Sequence, residues 1–177
     1  MNIKRGRFKL GQIWIETVVY MLIGLALIGI LLSIALPRIN QMKDRALIEQ
    51  SIDFLNILDS KFNEVLSSAG NTRQINLGIK KGNFVIDSWN NSIYFFFKDS
   101  SYMLSEIGET TKNGEINMLT INNGKNYDIY LALNYSSFNI TYNNQKVLKE
   151  FTSSSAAYNL LIENRGGADK KINFKSI

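Results

Sequence analysis

The fold of this chain follows first from residues 13–36, which read IWIETVVYMLIGLALIGILLSIAL. A single charge, Glu16, interrupts this run, and the 21 residues from Thr17 to Pro37 carry none. As an α-helix, such a run spans about 30 Å, which is the thickness of the hydrocarbon core of a bilayer. A core helix of a soluble protein usually keeps a polar stripe, and this run has none. The sequence therefore predicts a membrane segment.

The composition excludes several classes of function. The 177 residues contain no cysteine and no histidine, which excludes disulfides, thiolate metal sites and hydrolases with a catalytic histidine. The net charge of +5 is concentrated in the first eleven residues, which hold four of the 20 basic side chains and no acid. The rest of the chain is nearly neutral and offers no clustered basic surface for phosphates. We expect no nucleic-acid partner, no cofactor, no metal site and no enzymatic activity.

The residues that precede the apolar run indicate how the chain is processed. They read KLGQIWIE from Lys9 to Glu16 and follow a basic stretch. This pattern resembles the class III leader of type IV prepilins, most closely that of archaeal adhesion pilins. The resemblance implies a basic leader of residues 1–11 that is cleaved between Gly11 and Gln12. Glu16 then becomes the fifth residue of the mature chain.

Two other kinds of N-terminal segment stay open. An uncleaved anchor needs only the apolar run, and the chain is then a single-pass membrane-anchored extracellular binding domain that does not polymerise. A secretory signal peptide needs a small-x-small exit, which Ser33-Ile34-Ala35 supplies. The secreted product is then a candidate carboxylate-dependent hydrolase, but the acids do not form a recognisable pair in the sequence.

Residues 12–70 are predicted to form one long helix, in which residues 12–37 form the membrane segment and residues 38–70 are amphipathic. In the amphipathic half, apolar residues recur at three- and four-residue steps, whereas charged residues from Asp44 to Glu64 mostly take the other positions. The apolar stripe consists of Ile48, Ile52, Leu55, Leu58, Phe62 and Val65. Gly70 is a stop signal for this helix.

Four small or helix-breaking residues and one acid stand out in the apolar half. Glu16 lies in the first turns, where an acid complements the helix dipole by about 0.3–1 kcal/mol. The resemblance implies a second role, in which Glu16 pairs with the new N-terminal amine of a neighbouring subunit. Gly24, Gly29 and Ser33 are candidates for close helix packing, although small residues are also generally common in membrane helices. Pro37 predicts a kink or a locally unwound turn, since proline removes one helical hydrogen bond.

Residues 71–177 change character and predict a β-rich head domain, so the fold class is α+β. Short apolar runs at intervals of about 8–12 residues indicate an antiparallel sheet or sandwich. Within the run Tyr94–Phe97, alternate rings are expected on opposite faces of a buried strand. We predict strands at Gln74–Ile79, Asn83–Asp87, Ile93–Lys98, Tyr102–Ile107, Glu115–Ile121, Tyr127–Leu133, Phe138–Tyr142, Lys146–Phe151, Tyr158–Glu163 and Ile172–Phe174.

Three Asn-x-Ser/Thr sequons lie in this half, at Asn90, Asn134 and Asn139. An asparagine-rich chain generates such triplets by chance, but the resemblance implies that the protein is a glycoprotein and that these are candidate N-glycosylation sites. The basic residues around the apolar run favour an N terminus inside the cell and a head domain outside it.

The resemblance also implies a function and partners. The chain is expected to be a structural subunit of a type IV pilus-like surface filament that serves cell adhesion. It begins as a precursor in the cell membrane and then forms a helical homo-oligomer with other pilin subunits outside the cell. A prepilin peptidase, a membrane platform protein and an assembly ATPase are the further partners that the family implies.

Overall fold

A computed structural model describes the backbone of residues 6–177 and the side chains of residues 13–177. Its first element is a 61-residue helix, α1, over Gly6–Leu66. The helix continues through Pro37, so of the two outcomes predicted there the locally unwound turn is not formed, and the kink stays a prediction. It ends at Leu66, four residues before the boundary expected at Gly70, which adopts a left-handed φ of 86° in the turn that follows. The prediction of one long N-terminal helix is confirmed.

Ten strands follow the helix and form two sheets. The four-stranded sheet has the order β1-β9-β10-β7, and the six-stranded sheet has the order β4-β5-β6-β3-β2-β8. The pairing of β7 with β10 is parallel, and the other pairings between these strands are antiparallel. This confirms the α+β class with a C-terminal β domain. The strands are β1 (Thr72–Leu77), β2 (Asn83–Asp87), β3 (Ser92–Ser100), β4 (Thr110–Asn113), β5 (Ile116–Asn123), β6 (Asn126–Asn134), β7 (Asn139–Tyr142), β8 (Leu148–Thr152), β9 (Tyr158–Gly166) and β10 (Lys171–Ser176).

One strand prediction is wrong and one strand was missed. Tyr102–Ile107 forms no strand and makes only an isolated bridge from Ile107 to Thr120. Two of its backbone N–H groups are bonded to side-chain hydroxyls, Tyr102 N to Ser100 and Ser105 N to Thr120, and bonds of this kind compete with a strand ladder. The missed strand, β4, reads TTKN and lies exposed at the edge of its sheet, so it shows no apolar alternation.

The chain divides after Asn40 into two compact units. The second unit contains all ten strands and the second half of α1, which share one hydrophobic core. All six residues of the predicted apolar stripe are buried, with exposed fractions of at most 9%. Phe54 and Phe62 of the helix meet rings of the β domain edge to face or stacked. The periodicity therefore identified the packed face of the helix correctly.

The aromatic strand also behaves as its alternation predicts. Phe95 and Phe97 of β3 are buried in the core, whereas Tyr94 and Phe96 on the opposite face are half-buried. Phe96 stacks on Tyr130 of the neighbouring strand β6 at a centroid distance of 4.6 Å. These rings serve packing within and beneath the six-stranded sheet.

Candidate functional site

The first unit presents an apolar helix surface. Large side chains from Ile13 to Leu36 are exposed on all sides, with Trp14 at 71% and Tyr20 at 72%. The most apolar window of α1 has a mean hydropathy of 2.7 and is wholly unburied, so the helix is long and apolar enough to cross a membrane. Each large apolar side chain gains about 1.5–3 kcal/mol when it leaves water. This surface therefore needs lipid or other protein chains around it.

The structure places the predicted assembly residues as follows. Residues 1–5 of the leader lie outside the described residues, and at Gly11 and Gln12, the predicted cleavage site, only the backbone is described. Glu16 is exposed on the helix. At Gly24 and Gly29 a Cβ atom would meet nothing within 4 Å, so both positions are open to a close neighbour.

Ser33 and Pro37 lie on the same apolar stretch of α1. The Ser33 hydroxyl donates to the Ile30 carbonyl oxygen at 2.7 Å, so its polar group is satisfied within the helix and can face an apolar environment. Gly29 and Ser33 are four residues apart and thus share one face of the helix. Pro37 is exposed, and it leaves one backbone carbonyl of the preceding turn without its helical N–H donor.

Asp44 lies where the core-packed part of α1 begins, and the prediction that it is a solvent-exposed charge is wrong. Its position was assigned to the charged outer side, but its side chain is buried with an exposed fraction of 8%. Oδ1 accepts a hydrogen bond from Lys81 Nζ at 2.6 Å, and Oδ2 accepts one from Ser101 N at 2.7 Å. This carboxylate therefore bonds the helix to the loop before β2, through Lys81, and to the loop after β3, through Ser101.

The other end of α1 is fastened by an amide that the sequence did not reveal. Asn164 of β9 donates from Nδ2 to the carbonyl oxygens of Val65 and Ser68, at 2.9 and 3.2 Å. The Val65 carbonyl lies in the last turn of α1, where carbonyls lack helical donors, and the Ser68 carbonyl lies two residues past the end of the helix. Near the same end, hydrogen bonds from Lys61 and Arg73 lower the pKa of Glu64.

A buried phenol links the helix to the turn after β6. The Tyr135 hydroxyl donates to Asp59 Oδ1 at 3.0 Å, and its ring stacks on Phe62 with a centroid distance of 3.9 Å. Burial, together with the neighbouring Asp59 carboxylate, raises the pKa of Tyr135. Phe138 closes the turn by packing edge to face on Phe62.

A groove opens beside this turn. We name it the α1–β6 groove; its volume is about 290 Å³. Its walls combine carboxylates and amides with apolar rings, and it contains one of the three sequon asparagines. It is lined by Asp59, Phe62, Asn63, Leu66, Glu115, Leu133, Asn134, Tyr135 and Phe138.

The three sequons differ in their surroundings. Asn90 and Asn134 are exposed in or beside turns, whereas Asn139 is half-buried inside β7 with its Oδ1 atom buried. The third residue of the Asn139 sequon, Thr141, is buried, and its hydroxyl donates into β10. Among the described residues, no group of three or more acids is placed to hold a metal ion.

No protein family, curated protein or solved structure matches this chain. The structure itself shows one long N-terminal apolar helix followed by a β-rich domain, which is the general architecture of type IV pilin-like proteins.

Proposed function

We propose that this protein is a structural subunit of a type IV pilus-like surface filament used for attachment. Cleavage after Gly11 releases the mature chain, and α1 then assembles with the helices of other copies. One observation carries the proposal: a single helix is apolar and exposed on all sides over residues 13–36, and further along it is buried in the core of a β domain. Such a helix joins an assembly segment to a folded head without a linker.

The chemistry of the apolar half supports close packing between copies. Lipid tails are as apolar as leucine, so helices in a membrane associate through tight van der Waals contacts and polar pairs. Gly24 and Gly29 supply open surface for such contacts. Glu16 adds a carboxylate to this surface, and charged groups in membrane segments commonly pair with one another or with backbone groups. In this proposal, Glu16 also pairs with the N-terminal amine of Gln12 in the next copy.

A second candidate function is a single-pass anchored extracellular domain that does not polymerise. The observation that favours it is the length and hydropathy of α1, which suffice for a membrane span without any assembly. The two functions differ in the N terminus of the mature protein.

Mass spectrometry of the N-terminal peptide of the native protein separates these functions. A mature chain that begins at Gln12, as glutamine or pyroglutamate, supports the filament subunit. Retention of Met1 supports the anchored domain. A chain that begins at Leu36 has been secreted after signal-peptide cleavage and contradicts both.

A matched pair of variants then tests assembly. Glu16→Gln is expected to insert into the membrane as the wild type does, while filament yield seen by electron microscopy falls strongly. Glu49→Gln is the control, because Glu49 is an exposed acid of the same helix outside the apolar half. Equal filament yields from the two variants would refute the role of Glu16.

A further inference from the structure

Two Asn-Gly steps in the head domain form a matched pair. Asn113-Gly114 opens the turn between β4 and β5, and Asn123-Gly124 opens the turn between β5 and β6. Each asparagine pairs with the residue three positions later, so each turn contains two residues and begins with glycine. Gly114 and Gly124 both have positive φ, at 60° and 74°. The two steps therefore share a turn geometry and differ in what surrounds the asparagine.

Both glycine nitrogens are placed to act as nucleophiles. An Asn-Gly step closes into a five-membered ring when the glycine nitrogen reaches the asparagine Cγ atom, and glycine has no side chain to obstruct that approach. At Gly114 and at Gly124 an added Cβ atom would meet nothing within 4 Å, so the space beside the main chain is open. Within residues 13–177, no hydrogen bond holds the nitrogen of either glycine.

The side chains of the two asparagines differ in their contacts. Asn123 Nδ2 donates to Asp99 Oδ1 at 3.2 Å and lies 3.4 and 3.5 Å from the two carboxylate oxygens of Asp128. Ring closure at Asn123 has to break these contacts, because Nδ2 is the leaving group and its amide must turn toward the glycine. Asn113 is exposed, and no hydrogen bond within residues 13–177 involves its side chain. Its amide therefore rotates without losing a partner.

The strands that carry the two asparagines also differ in how easily they open. Asn113 ends β4, an exposed four-residue strand at the edge of the six-stranded sheet. Asn123 ends β5, an eight-residue strand that lies between β4 and β6. Ring closure requires the main chain at the asparagine to leave its paired conformation, and exposed elements with few contacts open at a lower free-energy cost. Both differences favour reaction at Asn113.

We propose that Asn113 is a deamidation site and that it converts faster than Asn123. Gly114 N loses its proton and bonds to Asn113 Cγ, the Cγ–Nδ2 bond breaks, and Nδ2 takes up the proton and leaves as ammonia. Water then opens the resulting succinimide ring at one of its two carbonyl carbons. Opening at Cγ gives aspartate, and opening at the main-chain carbonyl gives isoaspartate. The inference goes beyond the proposed function and does not depend on filament assembly.

Isoaspartate in this turn is expected to loosen β4. It adds one carbon atom to the main chain between positions 113 and 114, whereas the register of a hairpin is fixed by the length of its loop. The new carboxylate also lies two residues from Glu115, and like charges repel each other. Only the four residues of β4 hold this strand in place. The reaction therefore weakens one edge of the six-stranded sheet as the protein ages.

Peptide mapping of the full-length protein, aged in detergent in a mildly alkaline buffer, tests the rates. A protease that cleaves after Glu115 places the two Asn-Gly steps in different peptides. The Asn113 peptide is expected to gain the mass difference between an acid and an amide and to separate into aspartyl and isoaspartyl forms. Conversion at Asn123 is expected to be at least about fivefold slower, the effect of one net hydrogen bond. Equal rates, or an unmodified Asn113 peptide, overturn the proposal.

Two variants check the chemistry. Asn113→Gln keeps an amide but requires a less favourable six-membered ring, so its peptide is expected to stay unmodified; the same mass gain in this variant would overturn the assignment to Asn113. Asp99→Gly removes one carboxylate partner of Asn123 and suits the φ of 53° at that position. Conversion at Asn123 is expected to rise about threefold, since Asp128 remains. An unchanged rate would refute the role of these carboxylates.

Hydrogen exchange tests the effect on the sheet. In the aged wild type, amides of residues 110–118 are expected to exchange at least about fivefold faster than in aged Asn113→Gln. Amides of β3, in the interior of the same sheet, are expected to exchange alike in both proteins. Equal exchange at residues 110–118, with Asn113 converted, would show that β4 stays paired and would overturn that part of the inference.

Discussion

Replacement of Asp44 by alanine removes the carboxylate that joins the start of the buried part of α1 to two separate loops of the head domain. Its two oxygens accept from Lys81 Nζ at 2.6 Å and from Ser101 N at 2.7 Å. Hydrogen bonds to charged groups contribute about 1.5–3 kcal/mol each, and breaking a fully buried ion pair costs about 3–5 kcal/mol. The Lys81 side chain is 34% exposed, so water takes over part of its solvation. We therefore expect the unfolding free energy of the head to fall by about 2–4 kcal/mol.

The assay is native-state hydrogen exchange of the full chain in detergent. The slowest amides of β3 and β6 report global opening of the domain, and a loss of 2–4 kcal/mol makes them exchange about 30- to 900-fold faster. Asp44→Asn keeps an acceptor for Ser101 N and is expected to lose only about 1–2 kcal/mol. Asp53→Asn, at an exposed position of the same helix, is the control and is expected to stay within about 0.5 kcal/mol of the wild type.

A double-mutant cycle separates the ion pair from the rest of the effect. Asp44→Ala combined with Lys81→Met is expected to show a coupling energy of about 1–2 kcal/mol, since the two side chains are in direct contact. If Asp44→Ala changes exchange no more than Asp53→Asn does, the carboxylate does not fasten the helix and the reasoning is refuted.

Three further predictions concern the core, a buried phenol and a crowded glycine. Phe62→Ala is expected to lower the unfolding free energy by about 3–5 kcal/mol, because the Phe62 ring is fully buried. Ile57→Ala, at an exposed position of the same helix, is expected to change it by less than about 0.5 kcal/mol. Urea unfolding measures both variants, and similar losses would contradict the packing described. The pKa of Tyr135 is raised in the folded state, so its neutral phenol stabilises the fold. This stabilisation is fully present below pH ~10, the pKa of an unfolded tyrosine, and is lost as the pH rises through the raised pKa, by up to about 1.4 kcal/mol per pH unit. Tyr135→Phe removes this alkaline dependence in unfolding measured from pH 8 to 12, and an unchanged slope would refute the assignment. Gly82→Ala is expected to destabilise the head domain more than Gly70→Ala does, as measured by thermal unfolding. Both glycines have positive φ, but only at Gly82 would an added Cβ lie 2.6 Å from a backbone oxygen of β3. Equal losses in the two variants would show that backbone strain alone causes the effect.

Local patterns determined the helix and most of the strands. The apolar stripe from Ile48 to Val65 repeats at helical spacing, and any helix with that repeat must bury the same face. Alternation within Tyr94–Phe97 likewise assigned the buried side of β3, because side chains in a strand point to opposite faces. The uncharged run from Thr17 to Pro37 marked the segment that water cannot solvate favourably. These features depend on residues close together in the chain.

Features that depend on distant residues required the tertiary structure. The sequence placed Asp44 among the solvated charges, since helical periodicity ranks positions by face and contains no information about Lys81 or Ser101. The segment Tyr102–Ile107 has the composition of a strand, yet Ser105 N donates to the side-chain hydroxyl of Thr120, which is 15 residues away in the chain.

The candidate site residues also divide into those that local sequence indicated and those that only the tertiary structure distinguished. Gly11, Gln12 and Glu16 were identified from a local motif, and the three sequons from triplets. Only the tertiary structure distinguished the sequons, because exposure and the groove beside Asn134 arise where α1, β6 and the β4–β5 turn converge. The sequence by itself determined which segments are apolar, helical or extended, since these properties follow from local side-chain chemistry. The fold decided which polar groups become partners, because a hydrogen bond between residues 37 or 76 positions apart forms only when the chain between them is folded.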